Sequence, residues 1–319
     1  MKKTVLAILI VLFMVNGFAF AQGSGESAND SLEIVVIYHD MSLDYGQVIK
    51  AGAEAAGKDL GCDVIFEGPV GIDIDQHVAY LENAITMEVD GICVSNPNGE
   101  ALNPIIQKSL DAGIPTITFD SEAAGSPSYA FVGQNLYQSG CTQADTIAKL
   151  IGEKGKVLII TGEAAATWSM ERETGNRDTF ANYPNIEVLT TVSTGWESQS
   201  QYAAIENAIL ANPAVVAIAS LDAGTTPTTG VVISRLDKTN IIHVGHDLNL
   251  QTMDNIKKGW TDVSFSQYPY NKGYQTVKIM FDYLTNETPL KDVDTGILKV
   301  DSSNIDEYLQ KLADGEPIG

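Results

Sequence analysis

Short apolar runs rich in β-branched residues alternate along the chain with longer stretches in which apolar residues recur every three or four positions. The short runs read as strands buried on both faces, and the long ones as helices with one apolar stripe. LEIVVIY predicts a strand, and VIKAGAEAAGKDLG a helix closed by Gly61. CDVIFEG is a strand, 75–87 a helix and DGICVS a strand; a helix over 100–112, ended by Gly113, leads to the strand PTITF. After YAFVG the pattern restarts with a helix over 139–151, the strand KVLIIT and a helix over 169–181. IEVLTTV, AVVAIAS and NIIHVG are strands followed by helices over 198–211, 226–236 and 250–258. DVSFSQ, a helix over 272–284 and GILKV close the series. Strands alternating with helices of this length imply an α/β fold with parallel sheets covered on both faces. The strands are too many for one comfortable sheet, so the pattern predicts two doubly wound parallel-sheet lobes meeting near GQNLYQSG.

A length of 319 residues accommodates two such domains with real cores. Hydrophobic residues make up 44% and charged ones 19%, as in globular chains and unlike disordered ones. Acidic residues outnumber basic ones by 41 to 19. That balance argues against nucleic acid or an anionic membrane as partner, since both demand clustered Lys and Arg. The first residues carry Lys2 and Lys3, an apolar run from Val5 to Val15, and the small-x-small sequence Ala19-Phe20-Ala21. This is the three-part pattern of a cleaved secretory signal over 1–21, and the run is shorter than a membrane span needs. Residues 22–31 read as a flexible leader. The expected location is therefore periplasmic. Cys62, Cys93 and Cys141 match no zinc spacing, and buried thiols are the ordinary reading of the first two.

In open parallel sheets, ligands bind where strand ends meet helix N-termini. After the first strand stand Tyr38, His39, Asp40, Asp44 and Tyr45; after the third, Ser95, Asn96 and Asn98; after PTITF, Asp120 and Ser121. The second half supplies Trp168 and Arg172, Trp196, Asp222, Asp247, then Gln267 and Tyr268. Catalytic or cofactor patterns are missing from this ring. There is no G-x-G-x-x-G, no P-loop, no G-x-S-x-G and no H-E-x-x-H. His243 and His246, three apart on a strand, point to opposite faces and do not pair on a metal. Asp73 and Asp75 in GIDIDQ lack the glycine and distal Glu of a calcium loop, and read as a helix cap. No nucleophile, metal or cofactor is implied, so the chain reads as a non-enzyme. What the ring does suit is a sugar. Planar groups with two hydrogen-bonding atoms grip neighbouring hydroxyls, charged ones most strongly, and aromatic faces pack on the C–H faces of a sugar ring. An aspartate after a strand is often only an N-cap and a single Trp is often core. Their joint occurrence at so many strand ends favours a site.

Several segments together resemble the type I periplasmic sugar-binding proteins, the ribose- and galactose-binding receptors of ABC importers. They are IVVIYHDMSLDYGQVIKAGAEAAGKDLG, VDGICVSNPN, AGIPTITFD, VGHDLN and SQYPYNKGYQTV. The resemblance runs from about Leu32 to Val300. It implies two lobes joined by three crossing segments near Asn135, Gln267 and Leu290: 32–134 with 268–290, and 135–267 with 291–319. It places ligand-binding roles on Asp120, Arg172, Asp247 and Gln267, with aromatics at Tyr45 and Trp196. His39, Ser121 and the LDAG around Asp222 depart from the ribose-receptor pattern, and LDAG is similar to the branch that binds autoinducer furanoses, deoxysugars and polyols. Trp168 completes the expected set. Asp247 is expected both to grip hydroxyls and to cap the helix that follows. The implied role is capture of a neutral monosaccharide or small polyol, as a monomer, for the permease of an ABC importer. The alternatives are a receptor serving a membrane sensor, or a secreted carbohydrate-active enzyme.

Overall fold

The computed structural model of the chain describes residues 31–314; the expected signal segment and the leader before Ser31 lie outside them. The first sheet runs β12-β5-β4-β3-β1-β2, all parallel. Its strands are β1 Glu33–Ile37, β2 Asp63–Glu67, β3 Gly91–Asn96, β4 Thr116–Glu122, β5 Phe131–Gly133 and β12 Val293–Asp294. The apolar runs predicted as doubly buried strands are so: every residue of β3 is buried, and Ile34 to Ile37 of β1 likewise. Helices α1 Asp44–Leu60 and α9 Pro269–Asn286 cover one face. Helices α2 Ile74–Met87 and α3 Gly99–Asp111 cover the other, with Leu81, Leu102 and Ile106 against Val35, Ile37 and Val94.

The second sheet runs β13-β11-β10-β9-β6-β7, with the short β8 beside β6. Its strands are β6 Lys154–Thr161, β7 Asn185–Val188, β8 Val192–Ser193, β9 Val215–Ser220, β10 Ile242–His246, β11 Val263–Ser266 and β13 Leu298–Asp301. Helices α4 Leu136–Leu150 and α5 Thr167–Phe180 pack on one face, through Ile147 and Phe180. On the other lie α6 Ser198–Ala211 and α7 Thr225–Arg235, through Ile205 and Ile233. Helix α8 Leu250–Lys258 packs with α10 Ile305–Ala313 around Val300.

The structure departs from the expectations at several places. β13 is antiparallel to β11, so the second sheet is not wholly parallel. IEVLTTV is broken into β7 and β8, and β12 and α10 were not foreseen. Helix α4 starts at Leu136 and not at Ser139, because the Asn135 side chain accepts the Gln138 N–H and caps it there. The chain passes between the sheets three times, at 134–135, 266–268 and 295–297. The last passage was expected near Leu290. However, Val293 and Asp294 still pair with β5, and Leu290 packs on the first core. The crossings bond to one another: Thr295 N–H to the Gly133 carbonyl at 3.0 Å, Gln134 Nε2 to the Gly296 carbonyl at 3.1 Å, and Thr295 Oγ1 to the Gln267 carbonyl at 3.2 Å.

All four histidines are buried. Burial, helped slightly by His39, pushes His77 on α2 down to about 3, and burial does the same to His243. Both ring nitrogens of His77 lack a hydrogen-bond partner among the described residues. A histidine held neutral in the fold but free to protonate when unfolded removes stability as pH falls below its unfolded value near 6.5, and goes on doing so down to the folded value. Replacing His77 by Leu should therefore flatten the acid limb. Between about pH 7 and pH 5, urea unfolding of the wild type should lose ~2 kcal/mol more than that of His77→Leu. Parallel pH profiles for the two proteins would show that His77 protonates freely in the fold.

Candidate functional site

Strand-end loops of both sheets line one cavity, about 450 Å³ counting the space at its mouth that is open to solvent. The first lobe contributes Tyr38, His39, Tyr45 and Asp120; the second contributes Trp168, Arg172, Trp196, Asp222 and Asp247; Gln267 comes from the second crossing. Leu43, Ile72, Leu136 and Ala223 add apolar wall. The lobes meet across the cavity. The His39 ring stacks on Trp168 with centroids 5.0 Å apart, and the Thr167 hydroxyl donates to the Pro97 carbonyl at 3.3 Å.

Asp120 lies within β4 with φ +61°, and Asp247 follows β10 with φ +68°. Left-handed backbone at a non-glycine residue costs of order 1–3 kcal/mol and persists where surrounding structure enforces it. At Asp247 that enforcement is visible: its N–H donates to the Phe265 carbonyl at 2.8 Å, and its carbonyl accepts from Ser264 Oγ at 2.6 Å. Oδ1 of Asp120 accepts from the Tyr45 hydroxyl at 2.9 Å and from Lys272 Nζ at 2.6 Å. Oδ1 of Asp247 accepts from Gln267 Nε2 at 2.6 Å. Among the described residues, Oδ2 of each carboxylate takes no hydrogen bond. The two acids differ in electrostatics. Burial alone would raise both. At Asp120 the neighbouring Lys272, His39 and the Tyr45 hydroxyl outweigh it and hold the carboxyl below its usual value. At Asp247 burial prevails over Arg172 and Gln267, and the carboxyl lies above the usual value. Burial pushes His39 down and the Tyr45 phenol well up, so both face the cavity uncharged at neutral pH.

The aromatic side of the cavity is set by the second lobe. Trp196 lies against Gly162 and Gly224, where a Cβ on either glycine would come within 2.8 Å of its ring. Trp168 and Trp196 approach with centroids 6.4 Å apart. Both indole N–H groups, and Nε of Arg172, are buried without a partner among the described residues. Arg172 otherwise donates Nη1 to the Leu221 carbonyl at 2.6 Å and Nη2 to Gln134 Oε1 at 3.2 Å. Asp222 ties loops together: Oδ2 accepts from Thr161 Oγ1 and the Gly162 N–H, and Oδ1 from the N–H groups of Gly224 and Thr225. Those four donors use the acceptor capacity of a carboxylate.

Nine of the ten side chains read from the sequence thus share this cavity. Ser121 does not: it is fully buried outside the cavity lining. Asp247 is not the cap of α8 either. Asn249 is, its side chain accepting from the Thr252 N–H at 2.8 Å. Lys272 and the apolar wall were missed. A lysine in the first turn of a helix reads as a solvated charge, and nothing local marks it as buried.

A family model for the periplasmic binding protein domain matches residues 34–288. The chain belongs to this family. It is a type I sugar-binding receptor of the ribose/xylose class, a class of binding proteins and not of enzymes. The xylose/arabinose-binding protein XylF of Sulfolobus acidocaldarius is 28% identical over 296 residues, 87% of this chain and 73% of that one. The ribose import binding protein RbsB of Bacillus subtilis is 22% identical, covering 84% of this chain and 89% of its own. Among solved structures, an ABC transporter solute-binding protein from Burkholderia graminis, in complex with D-arabinose, superposes with a TM-score of 0.84. It is 24% identical, covering 88% of this chain and 98% of that one. The arabinose-binding protein AraP of Geobacillus stearothermophilus is 28% identical with a TM-score of 0.75, covering 87% of this chain and 99% of its own.

Arg172 is buried as well as facing the cavity. Its bonds to Leu221 and Gln134 make it part of the second lobe's frame, so the free protein should depend on it. Arg172→Ala should lower the unfolding free energy of the ligand-free protein by about 2–5 kcal/mol, through two orphaned acceptors and a cavity. An unchanged thermal midpoint would show that those bonds carry no stability.

Proposed function

We propose that this protein is an extracytoplasmic solute-binding protein that captures a neutral monosaccharide or small polyol between its lobes and delivers it to the permease of an ABC importer. The observation that carries this reading is the composition of the cavity. Two carboxylate oxygens without protein donors, one from each lobe, lie in it together with two indole N–H groups without acceptors. A polyhydroxylated ligand answers both needs, because each hydroxyl donates and accepts. The faces of Trp168 and Trp196 and the wall of Leu43, Ile72 and Ala223 suit its C–H groups. An anionic ligand would meet Asp120 and Asp247, and a cationic one Arg172. The functions of relatives, xylose/arabinose binding for XylF, ribose import for RbsB and arabinose binding for AraP, support a small sugar.

Capture between lobes gives transport a signal. A ligand touching both lobes binds the closed arrangement better, and only that difference in affinity shifts the population toward it. The signal segment read over 1–21 supports a location outside the cytoplasm, where such capture is useful. A monomer suffices for this role.

Differential scanning of the mature protein against pentoses, hexoses, deoxysugars and polyols tests the reading. The cognate ligand at ~100 times its Kd should add about 2.7 kcal/mol to stability. A shift with an amino acid or nucleoside, and none with any sugar or polyol, would overturn it.

A further inference from the structure

Lys272 is fully buried and lies beneath the cavity without lining it. Close helix packing puts it there. A Cβ on Gly273 would lie 2.0 Å from the Ile49 carbonyl oxygen, and one on Gly52 would lie 2.0 Å from that of Tyr270. Both positions therefore need glycine for α9 to seat on α1, and that seating brings the first turn of α9 beside Tyr45.

An ammonium group donates and never accepts. Its three partners must all turn acceptors toward it: Asp120 Oδ1 at 2.6 Å, Tyr45 Oη at 2.7 Å and Gln267 Oε1 at 3.1 Å. Two directions follow. The Tyr45 oxygen accepts from Lys272, so its single proton is left for Asp120 Oδ1. The Gln267 amide gives its oxygen to Lys272, so its NH₂ faces away and donates to Asp247 Oδ1. In both carboxylates the oxygen left over is Oδ2.

We propose that Lys272 is a positioning residue which, through this directed relay across the hinge, presents Oδ2 of Asp120 from the first lobe and Oδ2 of Asp247 from the second to the hydroxyls of the ligand. For its ligand half, the proposal rests on the sugar-binding reading above. The groups facing Asp120 are Tyr38 and His39 beyond β1, Tyr45 on α1, Lys272 on α9 and Asp247 across the cleft. With His39 neutral, Lys272 is the one charged donor to Asp120 among them. A plain counter-ion would act on Asp120 by contact and on Asp247 through its field alone, without fixing the direction of any hydrogen bond there. A relay also fixes the hydrogen bond at Asp247, which Lys272 does not touch.

Carboxyl ¹³C NMR titration of the ligand-free protein separates the two, with Asp120→Asn and Asp247→Asn used to assign the resonances. In the wild type, Asp120 should titrate below the ordinary value of about 3.9. In Lys272→Met, the Asp120 titration should move up by more than one pH unit and that of Asp247 should move as well. Lys272→Gln keeps an N–H donor without the charge, so Asp247 should return toward its wild-type titration there; an Asp247 that titrates in Lys272→Gln as it does in Lys272→Met would show the field alone at work and overturn the relay. Binding of D-xylose should weaken at least tenfold in Lys272→Met, and its acid limb should move to higher pH than in the wild type. Movement of Asp120 alone, or of neither acid, would overturn the relay. Should Lys272→Met fail to fold, the wild-type titration stands by itself: an Asp120 that titrates at or above the ordinary value contradicts the proposal. The NMR arm needs no ligand, so failure of D-xylose to bind any of the proteins bears on the sugar reading and not on the relay.

Discussion

Keeping a carboxylate ionised inside a protein costs several kcal/mol unless a counter-charge and hydrogen bonds compensate it. The contact between Lys272 and Asp120, 2.6 Å long and closed to solvent, supplies that compensation at the floor of the cleft. Much of the site is arranged around it. The strained backbone at Asp120 aims the carboxyl at the ammonium, and the tight seating of α9 on α1 brings the ammonium to the carboxyl. Removing either partner would leave the other as an uncompensated buried charge, so the pair also ties the α9 crossing to the first lobe.

The second lobe solves the same problem differently. Asp247 has no cation in contact; it has Gln267 at 2.6 Å and the field of Arg172, and burial still raises it. Arg172 is occupied with the Leu221 carbonyl and with Gln134, which in turn bonds Gly296 in the third crossing. One acid is therefore held charged by a local ion pair, and the other sits in a poised, less favourable environment. A ligand that donates to both would complete the second more than the first. The bonds among Gly133, Gln134, Gln267, Thr295 and Gly296 join the three crossings, so changes in either lobe's site are felt at the hinge.

The two parallel sheets and most helices were legible because doubly buried strands write continuous apolar runs and amphipathic helices write a 3.6-residue stripe. The edge pieces were less so: β12 is two residues long and leaves no pattern, and β13 was read as a strand in GILKV without its antiparallel direction. The cavity side chains were legible because strand ends in this architecture converge, and the residue types there were unusual for ordinary loops. Asp120 and Ser121 were both left open because the left-handed backbone that turns Asp120 into the cavity leaves no mark in the sequence. Asp247 looked like a helix cap because its spacing from α8 is nearly right; Asn249 two residues on does that work. Lys272 was illegible because its burial depends on a helix–helix approach between residues more than two hundred positions apart.

The claim at the centre of this account is that one ligand is held by an acid from each lobe. Calorimetric titration of Asp120→Asn and Asp247→Asn, each shown to be folded, with the sugar that most stabilises the wild type measures this directly. The account predicts that each substitution weakens binding at least tenfold, a loss of about 1.4 kcal/mol or more. Wild-type affinity in either variant would mean that the ligand is gripped from one lobe only, and would contradict it.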